Sequence, residues 1–275
     1  MKAGARLGKV LPRPIARGVS RLLGLAYYSR VVAGSLLPRD PADLHAGTLD
    51  CIVARNEYGV YCVPRSSRDK HEARRIMQSR VWEPETIDLL RAVDPDGDIV
   101  HAGTFFGDFL PALARSRRNG ALVWGFEPNR ESFRCAQITT MLNDLGNVVL
   151  THAALDANGG GTALLATTDR TGSTSGGGSW VVKDPSRASR WSTEEVDLVA
   201  VDEVIGSDRP VAVIQLDVER HEQQALAGAM RTIERCRPLI LVERVPDQDW
   251  FDAKLAPLGY QRDGSVCVNT VLRCR

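Results

Sequence analysis

From Asp98 onward, short aliphatic runs alternate with stretches of helical periodicity, and this rhythm restricts the fold more than any other property of the chain. The spacing predicts strands at Asp98–Ala102, Leu122–Phe126, Val148–His152, Ala212–Leu216 and Leu239–Val242. Helices fit between them at Asp108–Arg115, Glu131–Leu142, Glu222–Arg235 and Gln248–Leu258. Strands that are apolar on both faces, each followed by a helix, build βαβ units and a parallel sheet covered on both sides. The closing runs Ser265–Val268 and Thr270–Cys274 suit a terminal hairpin.

Upstream of the alternation lie two short β-like runs, Asp50–Ala54 and Val60–Val63, joined by Asn56-Glu57-Tyr58-Gly59. That is hairpin chemistry. Two helices are predicted next, over Asp69–Gln78 and Glu85–Val93, the second entered through Pro84. One stretch breaks the rhythm. Residues 156–193 hold two glycine triplets with Trp180 and Trp191, and read as a mobile loop fit for a substrate lid.

Charge is divided unevenly. The chain has 275 residues and a formal net charge of +1, yet residues 1–39 hold eight basic side chains and no acidic one. The remainder carries 27 basic and 34 acidic groups, a net of −7. A globally basic nucleic-acid-coating domain is thereby excluded, whereas a basic arm on an acidic body is not. Within the arm, Ile15, Val19, Leu22, Leu23 and Ala26 share helical spacing. It is read as an appended docking element for anionic lipid, a partner protein or the body's own acidic surface. Six cysteines show neither a C-x-x-C pair nor zinc-ligand spacing, as expected of thiols in a reduced compartment. With no membrane-length apolar run and no signal-cleavage pattern, the expected location is cytoplasmic, with the arm able to reach the inner face of a membrane.

Two segments carry chemistry. In DIVHAGTFFGDF (residues 98–109) an apolar strand runs into Gly103, and Gly107 stands near the next helix start. Glycines there either let a ligand approach the backbone or pack strand against helix. Glu127 ends the second strand in GFEPN, where a carboxylate can accept both hydroxyls of a ribose. A pyrophosphate fingerprint needs G-x-G-x-x-G, and Phe105 stands where the second glycine belongs. S-adenosylmethionine, which has no phosphate and bears a sulfonium, suits an acidic body better. In IQLDVERHEQQ, Asp217 ends the fourth strand, Glu219, His221 and Glu222 follow, and Glu243 ends the fifth. Carboxylates gathered on one sheet edge bind a cation, share protons, act on substrate, or cap a helix. Asp217 with Glu243 could bind a divalent ion. His101 and His152 also end strands, a position more often structural than catalytic.

These blocks, together with WEPET, the Asn143 to Val148 stretch, the Ser173 loop, Val201-Asp202-Glu203 and RPLILVE, resemble the FkbM-type family of S-adenosylmethionine-dependent methyltransferases. The resemblance runs from about Trp82 to Glu243. It implies an α/β, Rossmann-like class I methyltransferase with a mostly parallel seven-stranded sheet, and a methyl group moved to a hydroxyl of a sugar, glycan or secondary-metabolite acceptor. It places cofactor contacts at His101, Gly103, Thr104, Gly107, Glu127, Pro128 and Asn129, and catalysis at Asp217, Glu219 and Glu243. The family commonly has Asp at His101, Lys at Gln215 and Gly at Arg220. The organisation expected is an arm over 1–39, a hairpin and helix extension over 40–81, and a catalytic domain over 82–275. A nicotinamide-dependent oxidoreductase on a similar sheet, and a non-catalytic docking module with a degenerate pocket, are the competing readings.

Overall fold

The computed structural model describes residues 49–275; the basic arm and its amphipathic helix lie outside the described residues. Strands β1 (Cys51–Arg55) and β2 (Val60–Pro64) pair antiparallel around the expected turn. Helices α1 (His71–Met77) and α2 (Pro84–Ala92) follow, and Pro84 sits in the first turn of α2, where a missing N–H costs nothing. The alternating body then contributes β3 (Asp98–Ala102), α3 (Leu110–Ser116), β4 (Val123–Phe126), α4 (Arg130–Leu142) and β5 (Val148–Thr151). Next come β6 (Ala154–Leu155), β7 (Thr162–Ala166), β8 (Trp180–Val181), β9 (Thr193–Val199) and the short α5 (Val201–Val204). The chain closes with β10 (Val211–Leu216), α6 (Glu222–Ala227), α7 (Met230–Cys236), β11 (Leu239–Val242), α8 (Gln248–Lys254), β12 (Tyr260–Val266) and β13 (Asn269–Cys274).

Seven strands form the main sheet in the order β12-β13-β11-β10-β3-β4-β5. All neighbours from β11 to β5 run parallel, and only β13 is reversed between β11 and β12. This is the mostly parallel, seven-stranded sheet expected from the sequence. Every residue of β3, β4 and β11 is buried, which is why those strands read as unbroken apolar runs. Leu90, Ile99, Leu110, Leu113, Val213 and Leu241 fill the main core between sheet and helices.

The β1–β2 hairpin leans on α4. The Asn143 side chain donates to the Val60 carbonyl and accepts from its N–H, while Thr139 Oγ1 accepts from Cys62 N at 3.0 Å. Polar groups on the free edge of β2 are thus satisfied by helix side chains rather than left open to another strand.

Two expectations need correction. Residues 156–193 are not a bare loop: β7 and β8 lie within them, and with β6 and β9 they form a second sheet in the order β6-β9-β7-β8. Only Val196 of β9 is fully buried and β8 has two residues, so neither shows an alternating pattern in the sequence. Trp180 and Trp191 pack edge to face across this sheet at 5.4 Å. The helix expected over Glu222–Arg235 is broken between α6 and α7 at Gly228 and Ala229. A Cβ on Gly228 would stand 2.0 Å from the Asp156 carbonyl oxygen, so the chain leaving β6 presses on the helix there. Among the described residues no helix is long and apolar enough to cross a membrane.

At the amino-terminal edge of the sheet a single carboxylate ties three segments together. Asp98 is fully buried and accepts from Leu122 N, Trp124 Nε1 and Arg209 Nε, each at 2.8 Å, with Arg209 Nη2 on its other oxygen. Removing one partner of a buried, hydrogen-bonded pair strands the other charge, at about 3–5 kcal/mol. Asp98→Ala should therefore lower urea-unfolding stability by about that amount. A loss below about 1 kcal/mol would show that the pair contributes no more than an exposed one.

Candidate functional site

Parallel pairing delivers the site residues to one edge. Gly103 N bonds Phe126 O at 3.1 Å, Glu127 N bonds Thr151 O at 3.1 Å, Asp217 N bonds Ala102 O at 3.0 Å, and Glu243 N bonds Leu216 O at 3.2 Å. Each residue leaves its strand one step beyond the neighbour, so all four stand at the carboxyl ends. Connections diverge between β3 and β10, and such a switch point is where open α/β sheets hold ligands. A cavity lies there, lined by Gly103, Glu127, Pro128, Asp217 and His221 from the main sheet edge, with Gly177 and Ser179 from the second-sheet segment.

Glu127 is 3 % exposed and is held from both ends: its Oε2 accepts from Phe105 N at 2.7 Å, and its Oε1 from Asn129 N at 2.8 Å. Each oxygen keeps a further lone pair for a ligand. Burial pushes the Glu127 carboxyl up to about 8, against the pull of those two amides. Phe105 reaches this bond with φ of +51°, and its ring packs under Gly176 and Gly177. Asn129 caps α4 by accepting from Ser132 N at 3.0 Å, and its amide reaches Ser179 Oγ at 3.2 Å. The stretch expected to be a mobile lid is thus a pinned wall of the cavity. Ser179 is a lining residue that the sequence reading missed, because no local motif ties Ser179 to Asn129.

The remaining expected cofactor residues are placed differently. His101 does not line the cavity: its ring stacks on Phe109 at 5.4 Å, its Nδ1 pairs with Gln215 Oε1, and burial lowers its pKa to about 4. Thr104 is fully buried and donates back to the His101 carbonyl. Gly107, with φ of +83°, packs against Leu110 and Thr139 and does not line the cavity. His152, the other strand-end histidine, bonds the Pro128 carbonyl at 2.9 Å and stacks on Phe133. At Gly103 the close neighbour is the carbonyl oxygen of Asp217, 1.9 Å from where a Cβ would stand.

The carboxylates do converge. Asp217, Glu219 and Glu243 each bring one oxygen to within 4.8 Å of the others. Burial, then repulsion from Glu243, Glu219, Glu83 and Glu222, raises the Asp217 pKa to about 8. Glu219 and Glu222 are also raised, by burial first and Glu243 after it. Glu222 is 3 % exposed, and its Oε1 has no hydrogen-bond partner. His221, 8 % exposed and unused by the sequence reading, sits with Nε2 at 3.6 Å from Asp156 Oδ1.

Glu219 and Arg220 occupy consecutive left-handed positions, with φ of +52° and +73°. An L residue there costs about 1–2 kcal/mol, and glycine avoids the Cβ clash while losing more chain entropy. Because Arg220 is exposed, Arg220→Gly should raise stability by about 0.5–1 kcal/mol in urea unfolding. A decrease would mean that the guanidinium charge beside Glu219 outweighs the backbone strain.

Residues 99–259 match the family described as Methyltransferase FkbM domain. Solved structures with similar folds include methyltransferase FkbM from Methylobacillus flagellatus KT, at 20 % identity and a TM-score of 0.43. That alignment covers 65 % of this chain and 43 % of the other, so the chain spans less than half the length of that relative. A methyltransferase from Geobacter sulfurreducens aligns at 13 % identity over 90 % of this chain and 96 % of that one, with a TM-score of 0.41. An S-adenosylmethionine-dependent O-methyltransferase from Thermotoga maritima aligns at 14 % identity over 80 % and 66 %, with a TM-score of 0.37. No curated protein matches the chain. The family match extends over more than half of the sequence and takes in β3 through α8, and the chain belongs to the FkbM methyltransferase family.

Proposed function

We propose that this protein is an S-adenosylmethionine-dependent O-methyltransferase acting on a hydroxyl of a sugar, glycan or secondary-metabolite acceptor. The observation that carries the reading is Glu127: a buried carboxylate, oriented by two amides, lining a cavity it shares with Gly103 and Asp217. A carboxylate so placed fits a ribose diol, which offers two donors to its spare lone pairs. Pro128 and Ala153 to Leu155 add apolar wall suited to a nucleobase. The nicotinamide alternative loses ground, because the Phe105 amide that a pyrophosphate loop would aim at an anion is committed to Glu127.

When bound, S-adenosylmethionine supplies a sulfonium methyl that passes to the acceptor oxygen as the S–CH₃ bond breaks, with S-adenosylhomocysteine and the hydroxyl proton released. The chain's part is to hold and to orient. Glu127 fixes the nucleoside, and Gly177 and Ser179 supply one wall of the cavity. Asp217, which lines the same cavity, or a neighbouring carboxylate receives the acceptor's proton. Positioning supplies much of the rate, since the methyl donor is already activated.

Isothermal titration with S-adenosylhomocysteine tests the cofactor assignment. Wild-type protein should bind it, and Glu127→Ala should lose at least tenfold in affinity. Two ribose donors favour the ionised carboxylate, whereas the free chain holds Glu127 near a pKa of about 8. Binding therefore releases a proton below that value, and affinity should rise with pH from about 6 and level off above about 8. No binding by the wild-type chain, or full affinity in Glu127→Ala, refutes the reading. Methyl transfer from labelled cofactor to hydroxylated acceptors then tests the O-methyl specificity.

A further inference from the structure

We propose that Asp217, Glu219 and Glu243 form a binding site for one divalent cation of the hard, oxygen-ligated class, with Mg²⁺, Mn²⁺ and Ca²⁺ as its members. Hard cations bind oxygens at about 2.0–2.6 Å, so donors around one ion lie no more than about 4–5 Å apart. One oxygen from each of the three residues falls inside that span, all within 4.8 Å of one another. They come from two separate segments, Asp217 and Glu219 after β10 and Glu243 after β11, so the convergence is tertiary.

Grouped acids alone do not make a site, but here two buried carboxylate oxygens, Glu222 Oε1 and Glu243 Oε2, lack partners within the same cluster of charges. Glu222 is 3 % exposed with Oε1 unpartnered, and it interacts electrostatically with all three proposed ligands. Glu243 Oε2 is likewise occluded and without a partner. Asp108 is 8 % exposed, is held by its own backbone N–H, and feels Glu72, Glu83 and Asp217. Burial and these charges hold its carboxyl well above the usual range. The unpartnered Glu222 and Glu243 oxygens are costly when desolvated, and a cation in the cluster offsets that cost. Arg220 and Arg244 are the cations that lower Glu219, yet both are exposed and neither forms an ion pair with it. Neutral nitrogen or sulfur donors are absent from the trio, which selects hard oxygen-loving ions over zinc or copper.

The role of the ion rests on the methyl-transfer reading, although the binding itself does not. Asp217 lines the cofactor cavity, so the ion would stand at its margin. There it would take an acceptor hydroxyl as ligand and lower the hydroxyl's pKa. The proton would leave to a neighbouring carboxylate as the new O–CH₃ bond forms and the S–CH₃ bond breaks.

The test uses the full chain, freed of metal by chelation and titrated with Mn²⁺, following heat by calorimetry and free ion by electron paramagnetic resonance. One ion should bind per chain, and Mg²⁺ or Ca²⁺ should compete. Glu219→Gln and Glu243→Gln should each weaken binding at least tenfold, whereas Glu234→Gln on α7 should not change it. Mn²⁺ should also raise the thermal midpoint of the wild-type chain, a readout that needs no variant. Absence of binding at millimolar ion with no thermal shift, or unchanged affinity in both ligand variants, overturns the site. S-adenosylhomocysteine binding, measured in parallel on metal-free protein, keeps the two readings apart. If it fails while Mn²⁺ binds, the cofactor assignment falls and the metal site stands.

Discussion

The junction between β3 and β10 depends on the lack of a side chain at residue 103. A Cβ there would lie 1.9 Å from the carbonyl oxygen of Asp217, and the φ of +79° disfavours any residue but glycine. With glycine present, Asp217 N can bond Ala102 O and the pairing continues to the carboxyl edge. That last rung sets Asp217 beside the Glu127 cavity. From it follow the position of Glu219, two residues on, and the meeting with Glu243 from the adjacent strand. A side chain at 103 would push β10 away and open both the cavity and the carboxylate group.

The two ends of the sheet treat buried charge in opposite ways. At the amino end, Asp98 is matched by Arg209 and two N–H donors, so its charge is compensated and its work is structural. At the carboxyl end, Glu127, Asp108, Asp217 and Glu222 are raised by burial and by neighbouring carboxylates, with no buried cation opposite them among the described residues. In the free chain this favours the protonated forms and weakens the fold as pH rises through about 8, where Glu127 and Asp217 ionise. Ligands that bring hydroxyl donors or positive charge recover that cost. Binding free energy at this edge is thus stored as electrostatic strain among the buried carboxyls.

Legibility in the sequence followed how local each signal is. The five parallel strands stand out because strands covered on both faces are apolar throughout, and Asp98–Ala102 and Leu239–Val242 match their predicted bounds. Glu127 and Asp217 were legible as strand-end carboxylates beside a glycine loop. The second sheet was not, since β7 and β9 pair with each other across 26 intervening residues and leave most of their side chains exposed. His101 looked like a cofactor contact by position, yet its ring turns into the sheet to pair with Gln215 and stack on Phe109. The break at Gly228 likewise needed the Asp156 carbonyl, more than seventy residues upstream, to become visible.

By itself the sequence determined the sheet, because burial period and glycine placement are properties of neighbouring residues. It also determined which carboxylates reach the carboxyl edge, since each one directly follows a strand. Only the tertiary structure decided what those groups face. The pinning of Ser179 by Asn129, the bond from Phe105 to Glu127 and the convergence of Glu243 on Asp217 and Glu219 join residues 22 to 50 positions apart. Side-chain direction and desolvation arise from packing between elements, and no local pattern encodes them.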